Sequence, residues 1–201
     1  MKIKSAVFEM SAPDLAQCPK SALPEFAFIG RSNVGKSSLI NMLAGKRDLA
    51  KASVTPGKTK MINFFLINDA WCLVDLPGYG YANVGKRDRA DFNKAVADYL
   101  EKRRNVYCVF VLIDVRLPPQ AIDLEFIHWL AQLTVPFAFI FTKGDKQSAA
   151  QSESNIALFK KSLADWSEDL PDMILTSSKT GDGRREVLDL IQEMLANNNR
   201  G

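Results

Sequence analysis

Phe26-Ala27-Phe28-Ile29-Gly30-Arg31-Ser32-Asn33-Val34-Gly35-Lys36-Ser37-Ser38-Leu39-Ile40 decides the fold. An apolar run feeds the pattern G-x-x-x-x-G-K-[ST], and an apolar-periodic segment follows from Lys36. Strand, glycine-bearing loop and helix in that order form a phosphate-binding loop. Its glycines let backbone N–H groups between Gly30 and Ser38 face phosphate oxygens, and the helix start adds the positive end of its dipole. Lys36 reaches the β- and γ-phosphates, and the Ser37 hydroxyl is a Mg²⁺ ligand. A chance match in a chain of this length would arise roughly once in a hundred sequences of average composition.

Outward from this loop, apolar runs alternate with amphipathic stretches, the signature of a mostly parallel α/β sheet. Strands are expected at residues 26–29, 61–67, 71–74, 106–113, 137–141 and 173–175, and helices at 36–44, 86–103, 119–133, 153–166 and 184–196. The run Val109-Phe110-Val111-Leu112-Ile113 suits a strand covered on both faces. Residues 1–21 carry little structural signal and are expected as an N-terminal extension. A single domain is expected over 22–197, with a frayed tail at 198–201.

Composition limits the alternatives. The chain has 201 residues, 47% hydrophobic and 24% charged, which suits one globular domain. No apolar run approaches the roughly 20 residues of a membrane span, and the first ten residues lack the apolar core of a signal peptide. Membrane partners are therefore not expected. Cys18, Cys72 and Cys108 follow neither a disulfide nor a zinc spacing, and the latter two sit in apolar runs as small buried hydrophobes. This pattern points to the reducing cytoplasm. One histidine, His128, excludes a His-rich metal site.

Further motifs follow the phosphate loop in order. The apolar run at 71–74 ends in Asp75-Leu76-Pro77-Gly78. A carboxylate at that strand end is the Mg²⁺-site acid, and the Gly78 N–H can approach a γ-phosphate. Between the two motifs lies Thr55-Pro56-Gly57-Lys58-Thr59, a loop with turn chemistry. Thr59 is preferred to Thr55 as a third Mg²⁺ ligand, because it stands next to the following strand. Lys36, Asn33, Thr59 and Gly78 form the expected catalytic set, and Ser37, Thr59 and Asp75 the metal set. Later come Thr142-Lys143-Gly144-Asp145 and Thr176-Ser177-Ser178-Lys179. The Asp145 carboxylate accepts from guanine N1–H and the 2-amino group, donors that adenine lacks, so it selects GTP over ATP. The Lys143 stem covers the base face, and a backbone N–H of the Ser177–Ser178 turn donates to guanine O6. A phosphotransferase or ATPase on the same loop is the competing class, and the last two motifs argue against it.

Taken with Ser38-Leu39-Ile40-Asn41, Asn63-Phe64-Phe65 and Asp75-Leu76-Pro77-Gly78-Tyr79-Gly80-Tyr81-Ala82, these motifs resemble the EngB (YihA/YsxC) family of ribosome-biogenesis GTP-binding proteins. That family belongs to the TrmE-Era-EngA-EngB-Septin-like GTPases. The resemblance implies a Ras-like P-loop NTPase fold: a mostly parallel six-stranded sheet with one antiparallel edge strand and helices on both faces. It implies GTP/GDP and Mg²⁺ binding, slow hydrolysis, assembly of the large ribosomal subunit with its RNA and proteins as partners, a role in cell division and septation, and a monomer. Two positions depart from the usual pattern. Thr142 replaces the Asn that opens the base motif of most GTPases, and its shorter reach predicts a looser tie to the phosphate loop. Gly144 stands where the family more often has Ala. Tyr79 occupies the position of the water-orienting glutamine of Ras-like enzymes and is expected to pack instead. Asn33 is either a turn-forming residue or, as in related GTPases, a K⁺ ligand that substitutes for an arginine finger.

Charge suggests where RNA would dock. The net charge is +3, and residues 86–104 alone hold seven basic and four acidic side chains, seven minus four being +3. Lys86, Arg87 and Arg89, beside the Gly78 motif, are the expected RNA contacts. Lys102, Arg103 and Arg104 are read as complements of a helix C-terminus.

Overall fold

The computed structural model describes residues 1–50, 61–79, 86–164 and 169–198, with the side chains of 86–93 and 198 outside the description. Thr55, Gly57, Lys58, Thr59 and the Gly80-Tyr81-Ala82 segment therefore lie outside the described residues, as do the side chains of Lys86, Arg87 and Arg89 and the tail beyond Asn198.

The strands are β1 (Ala6–Ala12), β2 (Glu25–Gly30), β3 (Ile62–Ile67), β4 (Trp71–Asp75), β5 (Val106–Asp114), β6 (Phe137–Thr142) and β7 (Met173–Leu175). They form one sheet in the order β1-β3-β4-β2-β5-β6-β7. β2, β4, β5, β6 and β7 are mutually parallel, and β3 runs antiparallel to β4. The helices are α1 (Lys36–Ala44), α2 (Lys86–Lys102), α3 (Ala121–Leu130), α4 (Ala149–Leu163) and α5 (Arg184–Asn198). The fold class is the expected α/β one, but the sheet has seven described strands instead of six. The added strand, β1, comes from the segment 1–21 read as an extension, and pairs antiparallel with β3 at the sheet edge. Its residues Val7, Phe8 and Glu9 are exposed and it carries a register shift between Phe8 and Met10. Such an edge strand has neither the continuous apolar run nor the clean alternation by which strands are recognised.

The two faces of the sheet carry separate cores, because alternate residues of a strand point to opposite sides. Ala27, Ile29, Val109, Val111, Phe139 and Phe141 meet Tyr99 of α2, Ile127 of α3 and Phe159 of α4. Phe26, Phe28, Phe110, Leu112 and Ile140 meet Leu39 and Leu43 of α1 and Leu188 and Ile191 of α5. Phe159 stands edge-on to both Phe139 and Phe141 at 5.2 Å, pinning α4; such pairs add about 0.5–1.5 kcal/mol each beyond burial. All three cysteines are free and buried. Burial pushes the Cys72 and Cys108 thiols up to about 12, which makes them inert.

Helix ends differ from expectation where capping overrides periodicity. α3 starts at Ala121 rather than 119 because Pro118 and Pro119 precede its cap, Gln120. α4 starts at Ala149, with the Ser148 hydroxyl accepting from Gln151 N. Its first turns, Ala-Ala-Gln-Ser, have no apolar stripe to announce them. Asn198, placed in the tail by sequence, closes α5.

Because β2, β4, β5, β6 and β7 are parallel, their carboxyl ends share one edge. Gly30, Asp75, Asp114, Thr142 and Leu175 stand there. Antiparallel β3 begins at the same edge, with Asn63 opposite Asp75. Open α/β sheets bind ligands at this edge.

Candidate functional site

The loop from Gly30 to Ser38 bends through two left-handed residues, Asn33 (φ 63°) and Gly35 (φ 105°), before α1 begins at Lys36. Asn33 tolerates this region better than most side chains, and Gly35 adopts it freely. Gly78 is pressed against the loop: a Cβ there would lie 2.6 Å from the Gly30 carbonyl oxygen and 3.5 Å from Ser32 N. Only a glycine lets the two phosphate-binding segments approach so closely. A backbone bridge between Arg31 and Tyr79 continues the contact.

Four side-chain ties lock these segments. Lys36 Nζ pairs with Asp75 Oδ1. Thr142 Oγ1 lies 2.6 Å from the Val34 carbonyl oxygen and 3.2 Å from that of Ile113, and its single proton serves the nearer. The base loop is thus tied directly to the phosphate loop through Thr142. The shorter threonine suffices because parallel pairing sets Thr142 opposite Asp114, one strand from Gly30. Lys143, itself left-handed (φ 64°), donates from Nζ to the Asn33 carbonyl oxygen at 2.6 Å and to Asp114 Oδ2 at 2.8 Å. Asp123 Oδ1, on α3, accepts from Arg31 Nε and from the Tyr79 hydroxyl, both at 3.0 Å.

Sequence reading missed two of the three carboxylates in these ties, Asp114 and Asp123. Asp114 is buried at the end of β5, and Arg116 clamps it through Nε at 2.9 Å and Nη2 at 2.8 Å. Burial alone would raise its carboxyl, but the hydrogen bonds from Arg116 and Lys143 outweigh this and hold it down to about 2. Asp123 is 1% exposed. There burial wins, and the carboxyl is raised despite Arg31. Tyr79 packs, as expected: it stacks on Phe126 at 4.4 Å with its hydroxyl turned to Asp123. An acidic residue at a strand end could have flagged Asp114. Asp123 sits in the first turn of its helix, where acids are common for dipole reasons alone.

The base pocket is built by β6 and β7. Asp145 Oδ1 accepts from the Ser177 hydroxyl at 2.8 Å, and this bond, ahead of smaller effects, keeps the carboxyl ionised. Ser177 Oγ in turn accepts from Lys179 N and Thr180 N, shaping the Thr176-Ser177-Ser178 turn. Gly144 N donates to the Thr176 carbonyl oxygen at 3.0 Å. A Cβ at Gly144 would meet Leu175 Cδ1 at 3.2 Å and the Thr176 carbonyl oxygen at 3.3 Å, so alanine there would press on backbone as well as on a side chain.

Among the described residues, three buried side-chain polar atoms lack a hydrogen-bond partner: Ser32 Oγ, Trp71 Nε1 and Asp145 Oδ2. Two of the three belong to the nucleotide motifs. Asp145 Oδ2 has only the Lys146 ammonium, 3.6 Å away as an ion pair, so its hydrogen-bonding capacity is left for a guanine edge.

The comparisons agree with this geometry. Residues 25–143 match the family model described as 50S ribosome-binding GTPase. The chain is 50% identical over 192 residues to the probable GTP-binding protein EngB of Christiangramia forsetii, covering 96% of this chain and 97% of that one. The chain belongs to the EngB family. Another EngB relative, from Bacteroides fragilis, is 50% identical over 194 residues and 96% of each chain. The crystal structure of a probable EngB protein superposes with a TM-score of 0.71 at 23% identity, over 86% of this chain and 99% of that one. Era in complex with MgGDPNP and a 16S ribosomal RNA segment gives 0.67 at 19%, over 86% and 56%. As an EngB-family protein the chain is a P-loop GTPase that binds guanine nucleotide. No helix among its described residues is long and apolar enough to cross a membrane.

Proposed function

We propose that this GTPase is a cytoplasmic, monomeric switch in the assembly of the large ribosomal subunit, with Mg²⁺ as its metal. We also propose that it is required for normal cell division and septation. The observation that carries the nucleotide half is Asp145, with one oxygen locked by the Ser177 hydroxyl and the other without a hydrogen bond, Lys146 Nζ standing 3.6 Å from it. The ribosomal half is supported by the family model's description and by relatives about half identical across nearly the whole chain.

Ser37 and Asp75 supply hard oxygen donors at the strand edge, and no group of three or more His, Cys, Asp or Glu stands together among the described residues. That suits Mg²⁺, which keeps several waters and takes one or two protein oxygens plus phosphates. Held there by Ser37 and Asp75, it would neutralise the charge that develops on the phosphates. Lys36 exchanges Asp75 for the β- and γ-phosphates, backbone N–H groups of residues 30–38 hold the remaining oxygens, and Gly78 meets the γ-phosphate. Thr59 would be the further ligand of that metal in the triphosphate state. Intrinsic hydrolysis is slow because Tyr79 is committed to Asp123 and orients no water.

Asn33 supports a K⁺ role as far as its exposed side chain goes, while its left-handed backbone serves the turn. A faster GTPase rate in K⁺ than in Na⁺ decides for K⁺; equal rates leave only the turn. For the RNA surface, Arg103 is committed to buried Glu25 by a multidentate ion pair and Lys102 pairs with Asp98. This supports assigning the contact to Lys86, Arg87 and Arg89. Co-sedimentation with large subunits should weaken as salt rises and be lost in a triple Lys86/Arg87/Arg89→Ala variant that still binds GTP. Depletion of the protein should make immature large subunits accumulate in sedimentation profiles, and unchanged profiles refute the assembly role.

A further inference from the structure

The middle of the phosphate loop is held on both sides of Ser32. Arg31 is fixed through its guanidinium to Asp123 at 3.0 Å. The carbonyl of Asn33 is fixed by Lys143 at 2.6 Å, and that of Val34 by Thr142 at 2.6 Å. Ser32 N faces Gly78, the residue expected to meet the γ-phosphate. In a segment this fully tied, the Ser32 hydroxyl alone is buried and without a partner among the described residues. A buried hydroxyl left unpaired is a cost that packing does not require, since alanine would fill the position without it. The side chain that would orient water in a Ras-like enzyme is here Tyr79, turned to α3.

We infer that Ser32 is a catalytic residue whose hydroxyl donates a hydrogen bond to the γ-phosphoryl oxygens, strongest in the transition state. In hydrolysis the water oxygen bonds to the γ-phosphorus. The bond from that phosphorus to the β–γ bridging oxygen breaks, leaving its electron pair on GDP. The water's protons end on the released phosphate and solvent. Ser32 keeps its own proton throughout and stabilises charge on the oxygens it touches. Because its neighbours are pinned in the free protein, the donor needs no reorganisation when charge develops, the condition under which such donors act best. This inference rests on the reading of the loop as the site of GTP hydrolysis.

The test is single-turnover GTP hydrolysis by the full chain and by Ser32→Ala, with GDP affinity, GDP–aluminium fluoride affinity and thermal stability of the nucleotide-free protein measured alongside. The expected result is a rate lower by about 10²-fold, the order found for removal of one preorganised donor. GDP–aluminium fluoride binding weakens with it, GDP binding is unchanged, and the nucleotide-free protein is as stable as the parent or more so. A parental rate in Ser32→Ala overturns the inference. So does an equal loss of GDP binding, which would make Ser32 a shaper of the loop. Should the alanine variant fail to fold, Ser32→Thr, which keeps the hydroxyl, and its near-isostere Ser32→Val decide. Threonine alone must retain turnover, and equal rates in the two overturn the inference. A parent protein that hydrolyses no GTP would refute the underlying reading instead, so the two failures are distinguishable.

Discussion

Asp114→Asn isolates the clamp that joins the base loop to the phosphate loop. The carboxylate takes Arg116 on Oδ1 and Oδ2 and Lys143 on Oδ2, and its pKa is held down to about 2. An aspartate in the unfolded chain titrates near 3.9, so linkage assigns roughly 2.5 kcal/mol to the ionised form at neutral pH. Arg116 is 43% exposed, and solvent screening lowers the expectation to about 1.5–2.5 kcal/mol. The sign follows from the depressed folded-state pKa. The contribution is complete above the unfolded pKa and is lost as pH falls through the folded one, with about half remaining at pH 3. Urea unfolding of the nucleotide-free parent and variant at pH 7, 5 and 3 measures it through the midpoint at constant m-value. The variant should be less stable by the stated amount at pH 7 and 5, with the gap narrowing at pH 3. A variant as stable as the parent at pH 7, or a gap independent of pH, refutes the assignment.

Thr142→Val keeps the volume but leaves the buried Val34 carbonyl without its donor. It should cost about 1–3 kcal/mol in urea unfolding and weaken GTP binding, because the base loop loses its tie to the phosphate loop. Tyr79→Phe keeps the stack on Phe126 but removes a donor from buried Asp123, so the thermal midpoint should fall by the equivalent of about 1.5–3 kcal/mol. An unchanged midpoint would mean that the hydroxyl adds nothing there.

The parts of this fold that sequence revealed are those with strong local signals. Strands β2 to β7 are apolar enough to be seen in isolation, and α1 begins at Lys36, where the phosphate-loop pattern places it. β1 escaped because an edge strand with exposed Val7 and Phe8 resembles a polar extension. The motif residues were legible because their chemistry requires fixed types at fixed spacing. Asp123 was not, because its role is defined by partners 92 and 44 residues away in the chain, and Asp114 offered only its place at a strand end, not its tie to Lys143 29 residues on. Burial of Asp123 depends on α3 packing over Tyr79 through Phe126, a tertiary fact with no local signature. That Thr142 reaches the Val34 carbonyl is likewise a tertiary fact, since reach depends on where the neighbouring strand sets the side chain.

The central claim is that Asp145 reads guanine at the edge of this sheet. Competition against a fluorescent GDP analogue tests it, with GTP, ATP and XTP as competitors for the parent and for Asp145→Asn. In the parent, GTP should displace the probe and ATP should not. In the variant, an amide N–H faces the guanine donors, and GTP should weaken by about 2–3 kcal/mol, roughly 30- to 150-fold. XTP, which offers a carbonyl in place of the 2-amino group, should gain. Equal displacement by GTP and ATP in the parent, or undiminished GTP binding in Asp145→Asn, would contradict the account.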